Sequence, residues 1–239
     1  MSQSGSRLDV GVVGAGRVGT CLAQALAGAG HHVVAVSTAS ADHRERVEAA
    51  LPGVAIVDEA SVISQADLVL LAIPGDQIAA FVEGSAAAGV WHPGQIAVHT
   101  APELGHRVLD PLAAQGVIPL AVSPTIAFSG TSIDVRRLRD EPMIVTAPPA
   151  VLPIAHALVI EMGGDPIEIS DADRPVYAEA REVAGGFSRA IIDQAARLLR
   201  EIEVADPAAV LRSVVTTSVA DALDRSRWPD DPLNPTNER

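Results

Sequence analysis

The chain has 239 residues, 48% of them hydrophobic, and a formal net charge of −13. That length supports one large domain or two modest ones, and the acidic balance argues against nucleic acid or an anionic membrane as partner, because a phosphate surface needs clustered positive charge. Every basic residue is an arginine, which excludes lysine bases and Schiff-base chemistry, and the single cysteine, Cys21, excludes a disulfide framework.

The first predicted element is a strand carrying Val10, Val12 and Val13, whose β-branched side chains suit a buried sheet. Gly14-Ala15-Gly16-Arg17-Val18-Gly19 follows with G-x-G-x-x-G spacing, and then an apolar helix from Thr20 to Ala29. In such a turn Gly14 permits the sharp reversal, Gly16 admits a pyrophosphate to the backbone, and Gly19 lets the helix approach the strand. The free N–H groups at the helix start favour phosphate. A second strand, His32 to Val36, comes at once, so the glycines stand in a full βαβ setting and point to a dinucleotide. No acidic residue stands between Val33 and Ala41 to bind ribose hydroxyls. Ser37, Thr38 and Ser40 are there instead, with Arg44 and Arg46 close behind, a combination that suits a 2′-phosphate and points to NADP rather than NAD, with Arg44 the arginine assigned to it.

Val54 to Val57 reads as a short third strand and Ala66 to Pro74 as a central parallel one. Ile73 and Pro74 end it on the ligand side of an open sheet, where the nicotinamide would lie. Gln77 to Ala88 reads as a helix; Gln95 to Val98 and Val117 to Val122 read as strands ending at His99 and at Ser123-Pro124. Met143 to Thr146 and Pro166 to Ile169 are later strands separated by a helix from Val151 to Met162. This βα alternation predicts an α/β, doubly wound, Rossmann-type sheet over residues 1–170.

After Ser170 the strand pattern stops. Arg174-Pro175 opens a long helix with an apolar stripe through Val176, Val183, Phe187, Ile191 and Leu198, and Asp206-Pro207 opens another. Together they predict a small all-α domain over 171–227, with 228–239 a disordered, proline-rich tail. Two helices cannot make a core alone, so they pack on the sheet domain, on a second copy of the chain, or on both.

His99 at a strand's carboxyl end is a candidate proton donor or substrate partner, with Ser123 beside it and Tyr177 in the first turn of the long helix. No Tyr-x-x-x-Lys pair, nucleophile elbow or complete metal-ligand pattern is present, so no metal is expected. No apolar run reaches a membrane span and Met1 to Leu8 lacks a signal-peptide core, so the expected location is cytoplasmic.

Gly14 to Gly19, Ile96-Ala97-Val98-His99-Thr100, Gly116 to Ala121 and Leu158 to Gly164 together resemble actinobacterial Rossmann-like oxidoreductases that carry a helical C-terminal domain. These are distant relatives of pyrroline-5-carboxylate reductase, 6-phosphogluconate dehydrogenase and deazaflavin-dependent NADP reductase. The resemblance implies a 6-phosphogluconate-dehydrogenase-like architecture with a dimerising helical domain, NADP(H) as cofactor and a small-molecule substrate. It also implies a shortened member, since the family's helical domain is longer. Where that family tends to have His-Thr-Ser-Gly, His-Pro and Tyr-His, this chain has His99-Thr100-Ala101-Pro102, Ser123-Pro124 and Tyr177-Ala178. An asparagine usual before the phenylalanine is replaced by Gly186 before Phe187. Two readings follow: an NAD(P)-dependent oxidoreductase, or a dinucleotide-binding sensor or partner subunit without the chemistry.

Overall fold

The computed structural model describes residues 7–38 and 40–227; the predicted tail over 228–239 lies outside the described residues. Eight strands form one sheet in the order β3-β2-β1-β4-β5-β6-β7-β8. In chain order the elements begin β1 (Asp9–Val13), α1 (Arg17–Ala29), β2 (His32–Ser37), α2 (Ala41–Ala50), β3 (Ala55–Ile56), α3 (Glu59–Ser64), β4 (Leu68–Leu71) and α4 (Gly75–Ala88). They continue β5 (Ile96–His99), α5 (Asp110–Ala113), β6 (Ile118–Pro124), α6 (Ile133–Arg137), β7 (Pro142–Thr146), α7 (Leu152–Glu161) and β8 (Asp165–Glu168). The helical region is α8 (Arg174–Glu182), α9 (Ser188–Glu201) and α10 (Pro207–Arg227).

The inner strands read as near-continuous apolar runs because helices cover both faces. All four residues of β4, Leu68 to Leu71, are buried. One core layer gathers Val10, Val12, Leu22, Leu26, Leu68, Leu70 and Leu120 under α1 and α7. The opposite layer gathers Val13, Val69, Leu71, Ile78, Leu109 and Leu112. The two sets alternate along β1 and β4, as a two-residue side-chain period requires.

Six of the eight strands run one way and two the other: β1 to β6 are parallel, β6 pairs antiparallel with β7, and β7 pairs parallel with β8. The chain leaves β6 at Pro124 and enters β7 beside the same end of the sheet, Pro124 lying opposite Met143 and Ala121 opposite Thr146.

The chain divides into two compact units, Met1–Ala178 and Glu179–Arg239. Set beside the boundary at 170 expected from the sequence, this division keeps the first residues of α8 with the sheet. The single long helix expected from Arg174 is interrupted by a π-helical turn over Val183–Phe187. Gly185-Gly186 lies within it, where the absence of side chains lowers the cost of leaving α geometry. Within the second unit α9 and α10 pack on one another, while Phe187, Ile191, Leu198, Val210 and Val214 are exposed. No helix among the described residues is long and apolar enough to cross a membrane.

Candidate functional site

Strand order reverses between β1 and β4, the place where open α/β sheets bind ligands at their carboxyl ends. Gly14 leaves β1 there with φ +87°, a conformation costly for any residue with a Cβ. A Cβ on Gly14 would also stand 2.7 Å from the Ala72 carbonyl and 2.8 Å from Ile73 Cγ2. The turn is thus seated against Ala72 and Ile73 at the end of β4. The Gly14 and Ala15 N–H groups donate to the Ser37 carbonyl at 3.2 and 2.9 Å, tying the turn to the end of β2. Gly19 is packed closely: a Cβ there would meet the Gly14 carbonyl at 2.6 Å and Val12 Cγ1 at 3.0 Å.

Gly16 differs from both. It is the N-cap of α1 with extended backbone, and no side chain caps the helix. A Cβ on Gly16 would meet only His43 Cε1, at 3.6 Å. The first-turn N–H groups of a 13-residue helix therefore face open space with the helix dipole behind them. The Thr38 hydroxyl at the end of β2 is shut from solvent without a hydrogen-bond partner. An uncapped helix start, an open glycine and an orphaned hydroxyl fit the pyrophosphate and ribose of a dinucleotide. Val18 is half-buried, Pro74 is exposed, and Ser40 is the N-cap of α2. Arg17 and Arg44 are exposed, whereas Arg46, two residues on from Arg44, is half-buried.

The second cluster lies around the ends of β5, β6 and β7. Register places His99 beside Leu71 on one side and Ala121 on the other. His99 is fully buried, and its Nε2–H donates to the Gly105 carbonyl at 2.9 Å. Burial pulls its pKa down to about 4, the Gly105 bond opposes this, and the Arg174 charge adds to it. The ring is neutral at pH 7, and its Nδ1 lone pair has no partner. In this arrangement His99 offers a neutral ring that holds the segment after β5, and its one N–H is committed to a carbonyl.

Arg174, the first residue of α8, is the largest fully buried side chain among the described residues. Its Nε donates to Thr146 Oγ1 at 2.7 Å and its Nη1 to Ser123 Oγ at 2.8 Å. Its Nη2 donates to the Ala121 and Ile144 carbonyls, both at 3.1 Å. The two hydroxyls pass their own protons on, Ser123 to the Ala101 carbonyl at 3.1 Å and Thr146 to the Ile169 carbonyl at 2.5 Å. Burial lowers the Arg174 pKa to about 10, partly opposed by the charges of Tyr177 and Asp171, so it stays cationic at pH 7. Asp171 in turn pairs with His106 at 3.4 Å and Arg107 at 3.2 Å. Ser123 is thus enclosed in a hydrogen-bond network, and Tyr177 is the half-buried member of the three residues proposed from sequence.

Arg174 and Asp171 carry no sequence signal of this kind. An arginine ahead of a helical proline looks like a solvated helix start, and only the packing of α8 on β6 and β7 buries it.

A doubly wound α/β sheet with a glycine turn at its switch point defines the class. The match over residues 2–124 is to the Rossmann-like domain family, and the chain belongs to it. Residues 141–228 match a domain of unknown function, DUF2520. No curated protein matches the chain in sequence. Among solved structures it is similar to a Bacteroides fragilis protein assigned as an NADP oxidoreductase, at 17% identity and TM-score 0.71, over 90% of this chain and 80% of that one. It is also similar to 1-pyrroline-5-carboxylate reductase from Streptococcus pyogenes, at 17% identity and TM-score 0.66, over 97% and 83% of the two chains. A third is pyrroline carboxylate reductase from Plasmodium falciparum with NADP bound, at 11% identity and TM-score 0.61, over 94% and 80%. At these identities the likeness is one of fold.

Proposed function

We propose that the protein is a nicotinamide-dinucleotide-dependent oxidoreductase acting on a small substrate, with NADP(H) preferred over NAD(H). One observation carries the reading: Gly16 and the uncapped start of α1 present open backbone at the switch point, flanked by the end of β2 and by Ile73. The bound nicotinamide would supply or accept the hydride. The chain's own part is to hold the pyrophosphate on the Gly14–Gly19 turn and the ribose beside Ser37, Thr38 and Ser40. Ile73 and Pro74 would back the nicotinamide. On the substrate side Tyr177 is the candidate proton donor. His99 and Ser123 act from behind it, His99 by fixing the Gly105 segment and Ser123 by fixing the Arg174 guanidinium. The reductases of like fold, one of them with NADP bound, support the same reading.

The test is titration of the purified protein with NADPH and NADH, followed by calorimetry and by nicotinamide fluorescence. Saturable binding of one molecule per chain, tighter for NADPH, is expected. Folded protein that binds neither would overturn the reading.

A further inference from the structure

The segment that follows β5 is fixed at two points by groups lying beneath it. The Ser123 hydroxyl, itself held by the Arg174 guanidinium, donates to the Ala101 carbonyl at 3.1 Å. The buried His99 ring donates to the Gly105 carbonyl at 2.9 Å. Glu103 stands midway between these anchors. A turn tied at both ends by buried hydrogen bonds has little freedom in where it presents that side chain.

The Glu103 carboxylate lies against the start of α4. A Cβ on Gly75 would collide with Glu103 Oε1 and would stand 3.2 Å from Ala101 Cβ. Gly75 opens α4 directly after Ile73 and Pro74, and the Gly14 turn rests on Ala72 and Ile73. Glycine at position 75 therefore leaves the space that Glu103 fills, beside the strand end assigned above to the nicotinamide. The carboxylate does not cap the helix, whose start has no side-chain hydrogen bond. Glu103 is half-buried, and among the described residues it forms neither a hydrogen bond nor an ion pair. Arg107, four residues on, pairs with Asp171 instead, at 3.2 Å. A negative charge is thus kept partly out of water with no positive partner, an unfavourable arrangement that a bound cation would relieve.

Of the whole cofactor, only the nicotinamide ring changes charge with redox state. It carries one positive charge when oxidised and none when reduced, while the phosphates are alike in both. We propose that Glu103 is the counter-charge of the oxidised ring, and that it inclines the bound cofactor toward giving its hydride to the substrate. A carboxylate fixed beside the ring stabilises the positive charge that develops there as the hydride leaves. The substrate gains that hydride, two electrons with one proton, and takes a second proton from the donor on its own side. The favoured direction is therefore reduction. This rests on the dinucleotide reading above and adds a direction to it.

Calorimetric titration with NADP+ and with NADPH tests it, on the wild type, Glu103→Gln and Asp76→Asn. The two nucleotides differ in charge only at the ring, so the ratio of their affinities separates Glu103 from any effect on the phosphates. Glu103→Gln keeps the size of the side chain and removes its charge. It should weaken NADP+ relative to NADPH about fivefold, the worth of two unit charges in contact in water, and further where the site excludes water. A carboxylate that only favours the start of α4 through the helix dipole would shift thermal melting slightly and leave the ratio alone. Asp76 is exposed in the first turn of α4, and Asp76→Asn should move the ratio by less than about twofold, as for a screened charge. If Glu103→Gln binds neither nucleotide, Glu103→Ala decides the matter by the same ratio. A wild type binding neither nucleotide overturns the dinucleotide reading itself. A ratio moved less than about twofold by the Glu103 substitutions, or moved as far by Asp76→Asn, overturns this assignment alone.

Discussion

Replacing Gly16 by alanine separates a ligand cradle from a structural turn. At Gly16 φ is −79° and ψ −159°, open to any L-residue, and the new methyl would meet only His43 Cε1 at 3.6 Å, ordinary van der Waals contact. Alanine is a poorer N-cap than glycine, but it reduces the freedom of the unfolded chain, so the two effects leave stability within about 1 kcal/mol of wild type. Binding should respond differently. The methyl occupies the space by which a phosphate reaches the first-turn N–H groups, and losing one charge-assisted contact costs about 1.5–3 kcal/mol, about ten- to a hundredfold in affinity. Gly19→Ala is the opposite case. Its methyl would lie 2.6 Å from the Gly14 carbonyl, and overpacking of that kind costs about 1–3 kcal/mol of folding stability. Thermal melting and NADPH titration of both variants give the answer. If Gly16→Ala melts like wild type and binds NADPH equally well, phosphates do not lie against Gly16 and the cradle argument is wrong.

Three further predictions concern the parts around the cradle. His99 has an ordinary pKa of 6.5 lowered to about 4 in the folded protein. The unfolded chain therefore takes up the proton first, and the stability present above pH 6.5 is lost as pH falls toward 4, up to about 3 kcal/mol. His99→Gln should lose that much less over the same range in urea titrations; parallel pH profiles for the two proteins would refute the assignment. Arg174→Met should destabilise the sheet unit by about 2–4 kcal/mol, the four lost hydrogen bonds being partly offset by relief of guanidinium desolvation. Fluorescence of the buried Trp91 reports that unfolding, and an unshifted midpoint would show that the network contributes nothing. The exposed apolar residues of α9 and α10 should pair with a second copy of the chain; a monomer at micromolar concentration in sedimentation counts against this.

Much of the fold is written in short-range pattern. The β-branched run before Gly14, the glycine spacing, and the continuous apolar β4 each follow from local sterics and side-chain period, and the structure places all three at the switch point. The glycine turn was legible because its conformation is dictated by a residue type. The π turn at Val183–Phe187 interrupts a helix that the apolar periodicity ran straight through, because Gly185-Gly186 weakens α geometry without changing the pattern around it. The direction of β7 was not legible from its own residues, since a buried strand reads as the same apolar run whichever way it pairs. Least legible were the arginines. Arg44 and Arg46 stand two apart on one short helix, and Arg174 precedes a proline as a surface residue would. One is exposed, one borders an open cavity and one is fully buried. Sequence determines the charge that each carries; only packing against distant segments, Gly130 over Arg46 and β6 and β7 around Arg174, decides which charges lose their water and must find other partners.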